Sequence, residues 1–139
     1  MNRRTRLATF GATLAACAAS ADDLTGKDSF VCTAWQAIPC TTAGDCTPTE
    51  AWRLDMPDFV KVDLRAREIA TLEGSDQPRA AEIANVARSD GMIILSGHQS
   101  ARGFVWVINE ASGEGTFAIA SDSSNVTVFT VCAATDAVR

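Results

Sequence analysis

The sequence predicts an all-β domain, a small antiparallel barrel or sandwich of about eight strands, preceded by an N-terminal signal segment. Three observations predict it. Apolar and polar residues alternate along several short runs. Gly-, Asp- and Ser-rich turns separate those runs at regular spacing. Four cysteines remain for disulfides once the signal is set aside. Alternation with period two belongs to a half-buried strand, and short strands with turns between them suit antiparallel sandwiches and barrels.

The chain opens with Met1-Asn2-Arg3-Arg4-Thr5-Arg6, basic and without an acid, followed by ten uncharged residues from Leu7 to Ala16. Ala19-Ser20-Ala21 then places small residues where a signal peptidase cuts. This is the three-part order of a secretory signal, and the apolar run falls short of the roughly 20 residues of a membrane-spanning helix. Residues 1–21 are therefore expected to be a signal and residues 22–139 a single domain that is periplasmic or secreted. A second cut stands beside the first. Leu14-Ala15-Ala16-Cys17 resembles the lipobox of bacterial lipoproteins, which implies an acylated Cys17 and a lipid anchor as the only link to a membrane. Arg3-Arg4 also hints at twin-arginine export, although Arg6 sits where that signal takes an apolar residue.

About 118 residues remain, enough for one core. Removing the signal takes three of 12 basic residues and none of 17 acids, leaving nine against 17 and a net charge of −8. Such a surface does not neutralise a run of phosphates, which argues against nucleic-acid binding. Of five cysteines, Cys17 goes with the signal or is acylated, and Cys32, Cys40, Cys46 and Cys132 remain. Three pairings are open, and we favour Cys40–Cys46 with Cys32–Cys132. The first closes a short flexible loop, Thr41 to Asp45, and the second joins the first strand to the last. In the chain-entropy picture a loop of about 100 residues is worth roughly 4–5 kcal/mol, a large share of a typical ~5–15 kcal/mol. No C-x-x-C pair and no second histidine are present, so no metal site is expected, and no cofactor motif is found.

The strands follow in order. Phe30–Ile38 is the first. Glu50 to Met56 alternates with Trp52, Leu54 and Met56 on one side, and Phe59 to Arg67 with Val60, Val62, Leu64 and Ala66 on one side. Ile69–Glu73, Met92–Ser96, Phe104–Ile108, Thr116–Ala120 and Val126–Val131 complete the set. Arg79–Arg88 fits both a helix, through Ala80, Ile83, Ala84 and Ala87, and the first arm of a hairpin closed by Asp90-Gly91. We take it as strand.

From Gly91-Met92-Ile93-Ile94-Leu95, through Phe104 to Asn109 and Ser112-Gly113, to Val128-Phe129-Thr130-Val131-Cys132, the chain resembles small exported β-domain proteins of proteobacteria, themselves uncharacterised. The resemblance covers residues 90–132; it implies export and a β meander and no activity.

Candidate chemistry is sparse, and no catalytic residue is assigned. His98, the single histidine, lies in Ser96-Gly97-His98-Gln99-Ser100 without a G-x-S-x-G elbow, and reads as a polar hairpin residue. Asp55 and Asp58, and Glu110 and Glu114, are carboxylate pairs at turns, where acids have a structural role. Asn125-Val126-Thr127 matches a glycosylation sequon whose occurrence in a bacterial exported chain reads as accidental. Trp35, Trp52 and Trp106 fall in predicted strands and are expected in the core, or around a cavity if the sheet closes.

The leading expectation is a non-enzymatic envelope domain that binds another envelope or extracellular protein. In size, β-barrel form and occasional lipid anchoring, the chain is similar to periplasmic lysozyme inhibitors. Ser100-Ala101-Arg102-Gly103 is loosely like their Ser/Gly loop, but this chain lacks tyrosine. The alternatives are a small hydrolase using His98 or the acids at Asp55 and Asp58, and a carrier of a small apolar ligand.

Overall fold

The computed structural model describes residues 23–136. The expected signal segment, residues 1–21 with Cys17, lies outside the described residues. Nine antiparallel strands and no α-helix are found among those described: β1 (Ser29–Thr41), β2 (Val60–Asp63), β3 (Glu68–Thr71), β4 (Ala80–Glu82), β5 (Asn85–Ser89), β6 (Met92–Gln99), β7 (Arg102–Asn109), β8 (Glu114–Ala120) and β9 (Ser124–Ala134). They form one sheet in the order β4-β3-β2-β1-β9-β8-β7-β6-β5, curled into a half-barrel.

Its two edge strands are consecutive in sequence. The segment from Ala80 to Ser89 leaves β3, with Ala80 opposite Ala70, and joins β6, with Asn85 opposite Ser96. Between them Ile83 is fully buried and donates its amide to the Arg67 carbonyl (2.9 Å), while the Ala84 amide goes to Ser96 (2.9 Å). One short segment thus serves both edges of the curl and leaves fewer unpaired edge groups. This is also why the helical spacing of Ala80, Ile83, Ala84 and Ala87 goes unused. The backbone there is committed to two different neighbours.

Two expected strands are corrected. Glu50–Met56 is not a strand; Ala51–Leu54 forms a 3₁₀ turn. Thr49 makes both backbone bonds with Ala37 (2.8 Å each), after which the Arg53 amide turns back to the Glu50 carbonyl (3.1 Å). The alternation had no sheet to face, since Ala51 is buried while Trp52 and Leu54 are exposed. The run Phe59–Arg67 keeps only Val60–Asp63 as strand. The Asp63 carboxylate accepts the amides of Arg65 (3.1 Å) and Ala66 (2.9 Å), capturing donors that a longer strand would have used.

One end of the half-barrel is filled. Phe30, Leu24, Ile83, Ile93, Leu95 and Ile108 are fully buried there, each stabilising by about 1.5–3 kcal/mol. The segment before β1 is tied across this end. Leu24 donates its amide to the Glu110 carbonyl (2.6 Å), Arg65 pairs with Asp28 (2.7 Å), and Arg88 pairs with Glu110 (2.7 Å) and also bonds the Lys27 carbonyl.

Cys32 and Cys132 face each other directly across β1 and β9 and are disulfide-bonded in the core. Cys40–Cys46 closes the loop after β1. Two disulfides are the chemistry of an oxidising, extracellular or periplasmic compartment. No helix among the described residues is long and apolar enough to cross a membrane.

Candidate functional site

At the other end the half-barrel is open. A cleft of about 350 Å³ runs down between the inner faces of β1 to β4 and β6 to β9. Its depth follows from strand alternation: β7 turns Phe104 and Trp106 inward, β8 turns Phe117 and Ile119, and β9 turns Val128 and Thr130. Cys32 of the core disulfide is among its lining residues. Trp106 meets Phe117 edge to face at 5.1 Å, and Phe104 lies 5.4 Å from Phe117, so the aromatic wall is set by mutual packing.

Two glycines make room for that wall. A Cβ at Gly97 would lie 2.6 Å from the Phe104 ring and 2.5 Å from the Glu82 carbonyl. A Cβ at Gly115 would lie 2.9 Å from the Thr130 hydroxyl and 3.0 Å from the Trp106 indole nitrogen. The indole N–H donates to Thr130 Oγ1 at 3.0 Å. No buried side-chain polar atom among the described residues lacks a partner. The interior therefore offers an apolar surface to whatever occupies it.

The rim is polar. Loop 54–57 and Arg79 stand on one side, and the β6–β7 hairpin, with Gln99, Ser100 and Arg102, on the other. Arg79 is locked in place by the Asp55 carboxylate (2.6 Å), the Asp55 carbonyl (2.7 Å) and Gln77 (2.6 Å). Gln99 donates to the Ala80 carbonyl (2.8 Å), holding the hairpin to β4. Ser100 and Ala101 form its two-residue tip with φ of 47° and 61°. Such tips normally carry Asn-Gly or Asp-Gly, as Asp90-Gly91 does between β5 and β6, because other residues are strained in the left-handed region.

The sequence candidates are scattered. His98 is exposed on β6 opposite Gly103, and its side chain makes no hydrogen bond among the described residues. Asp55 reaches the rim, where Arg79 holds it, and Asp58 is exposed beside it in a shallower depression. Glu110 belongs to the filled end, paired with Arg88, and Glu114 is exposed at the start of β8. Asn125 is exposed on β9. Of the tryptophans, Trp106 alone lines the cleft. Trp35, 60% exposed, sits at a β-bulge in β1 and lies 5.8 Å from Phe129. Trp52, 61% exposed, lies under the Arg53 guanidinium at 4.6 Å, and the same arginine holds the Glu50 carboxyl below its ordinary range. Their expected place in the core is thus corrected. Bulge and turn redirect both side chains outward.

Sequence reasoning missed the rim, because Arg79, Gln99 and Arg102 carry no motif; their placement comes from the curl of the sheet. No group of three or more His, Cys, Asp or Glu side chains able to hold a metal ion occurs among the described residues. The chain matches no protein-family model, no curated protein and no solved structure.

Proposed function

We propose that this domain is an exported binding protein that takes a small apolar molecule into the open end of its half-barrel. The observation that carries this reading is the cleft itself. It falls within the roughly 300–1,000 Å³ of small-molecule sites, and it is walled by Trp106, Phe117, Phe104 and Val128 with a few polar groups at its rim. The filled end and the Cys32–Cys132 disulfide brace the walls, and a rigid concave site loses little conformational entropy on binding. An export signal in residues 1–21, as the sequence leads us to expect, would suit the same work in an envelope or outside the cell.

The test is uptake of the apolar fluorophore N-phenylnaphthylamine by the oxidised protein. Saturable binding of one dye per chain, abolished by Ile119→Trp at the cleft wall, is the expected result. Emission that rises without saturation, or that is indifferent to Ile119→Trp, would overturn the reading.

A second reading, docking of another envelope or extracellular protein, is favoured by the outer face. There Ile94, Val107, Thr116 and Phe129 follow one another across β6 to β9, next to Trp35, with no charge among them. Exposed apolar patches of this kind mark interaction surfaces. Cross-linking in the native envelope should then yield a discrete conjugate that Trp35→Glu removes, and a conjugate unaffected by that substitution would count against it.

A further inference from the structure

We infer that the cleft's ligand is an acidic amphiphile, a single apolar tail inside the half-barrel with an anionic head held at the rim by Arg102. The inference rests on the binding function proposed above and adds the chemistry of the ligand. Three charged residues line the cleft: Asp55, Arg79 and Arg102. Asp55 and Arg79 neutralise one another at 2.6 Å. Arg102 makes no ion pair and no side-chain hydrogen bond among the described residues, which leaves the rim with one uncompensated positive charge. That sign runs against the domain as a whole, where nine basic residues, Arg102 included, face 17 acids after residue 21.

The interior excludes the opposite orientation. The indole N–H of Trp106 is spent on Thr130 (3.0 Å), and the Thr71 hydroxyl is engaged by the Arg79 backbone (3.0 Å). A charged head driven inward would meet no cation and at most the hydroxyl of Thr130, and would bear most of the cost of desolvation. At the rim it meets a guanidinium, whose planar fork binds carboxylate and phosphate oxygens alike. Beside it stands Ser100, whose hydroxyl has no partner among the described residues. The Gln99–Ala80 bond holds this hairpin against β4, so Arg102 is presented over the opening by a fixed element.

The experiment displaces N-phenylnaphthylamine with decanoate, decyl phosphate, decanol and decyltrimethylammonium, using the wild-type protein and the Arg102→Ala and Arg102→Lys variants. Arg102 is exposed, and both variants are first checked for native disulfides and circular dichroism. Both anions should compete about tenfold better than decanol, the order of one charge-assisted hydrogen bond, with the cation weakest. Salt should narrow the gap, since the head is at the surface. Arg102→Ala should remove the preference and leave decanol unchanged, while Arg102→Lys retains part of it. A stronger decanoate than decyl phosphate, or the reverse, identifies which head the fork accepts best and supports the assignment either way. Equal competition by decanoate and decanol, or a preference that survives Arg102→Ala, would overturn the anionic head and leave the apolar cleft standing. Dye uptake that none of the four compounds reverses would overturn both.

Discussion

Trp106 on β7 donates its indole N–H to the Thr130 hydroxyl on β9 at 3.0 Å, across the intervening strand β8, and only a glycine at position 115 lets the two meet. The bond satisfies the one polar atom of the largest side chain in the cleft wall. Thr130→Val keeps the shape and removes the acceptor, leaving a buried N–H unpaired. The expected loss is about 1–3 kcal/mol in urea denaturation, with Thr130→Ser close to wild type.

That pair also shows what the sequence could and could not reveal. Alternation in Phe104-Val105-Trp106-Val107 announces a strand with Trp106 on one face, and Thr130 falls on the inner face of its own strand by the same rule. Their meeting depends on β8 lying between β7 and β9, which is meander order. The all-β class and most strands were legible for this reason, nine strands standing where about eight were expected. The bulge at Trp35 and the turn at Trp52 were not, because each reverses a side chain through backbone geometry that hydrophobic pattern does not encode. The open end was equally hidden. It exists because Leu24 and its neighbours plug the other end and, among the described residues, no comparable segment fills this one.

The two disulfides should differ in what their loss costs. Cys32–Cys132 closes 100 residues and Cys40–Cys46 closes six. Replacing the first pair by alanine is expected to cost roughly 2–5 kcal/mol, and the second pair less, since loop-closure entropy grows with loop length. Equilibrium unfolding of both double variants checks the order.

Gly97→Ala should destabilise by about 1–3 kcal/mol, because the added methyl meets the Glu82 backbone as well as the Phe104 ring. The disturbance falls on the seam where β4 approaches β6. Hydrogen exchange of the Ala84 amide, bonded to Ser96 at 2.9 Å, should rise in this variant more than exchange within β9.

The hairpin at Ser100-Ala101 offers the opposite case. Replacing the pair with Asn-Gly suits the left-handed backbone at both positions and should stabilise by about 1 kcal/mol. Thermal unfolding reads the gain.

The central claim is that an apolar molecule enters beside Trp106, and contact quenching of that residue tests it most directly. With Trp35→Phe and Trp52→Phe, Trp106 is the sole tryptophan emitter. Titration with a decanol brominated at its tail should quench its fluorescence saturably at one molecule per chain, and untagged decanol should restore the emission by competition. Quenching that stays linear in concentration, or that decanol does not reverse, would contradict it.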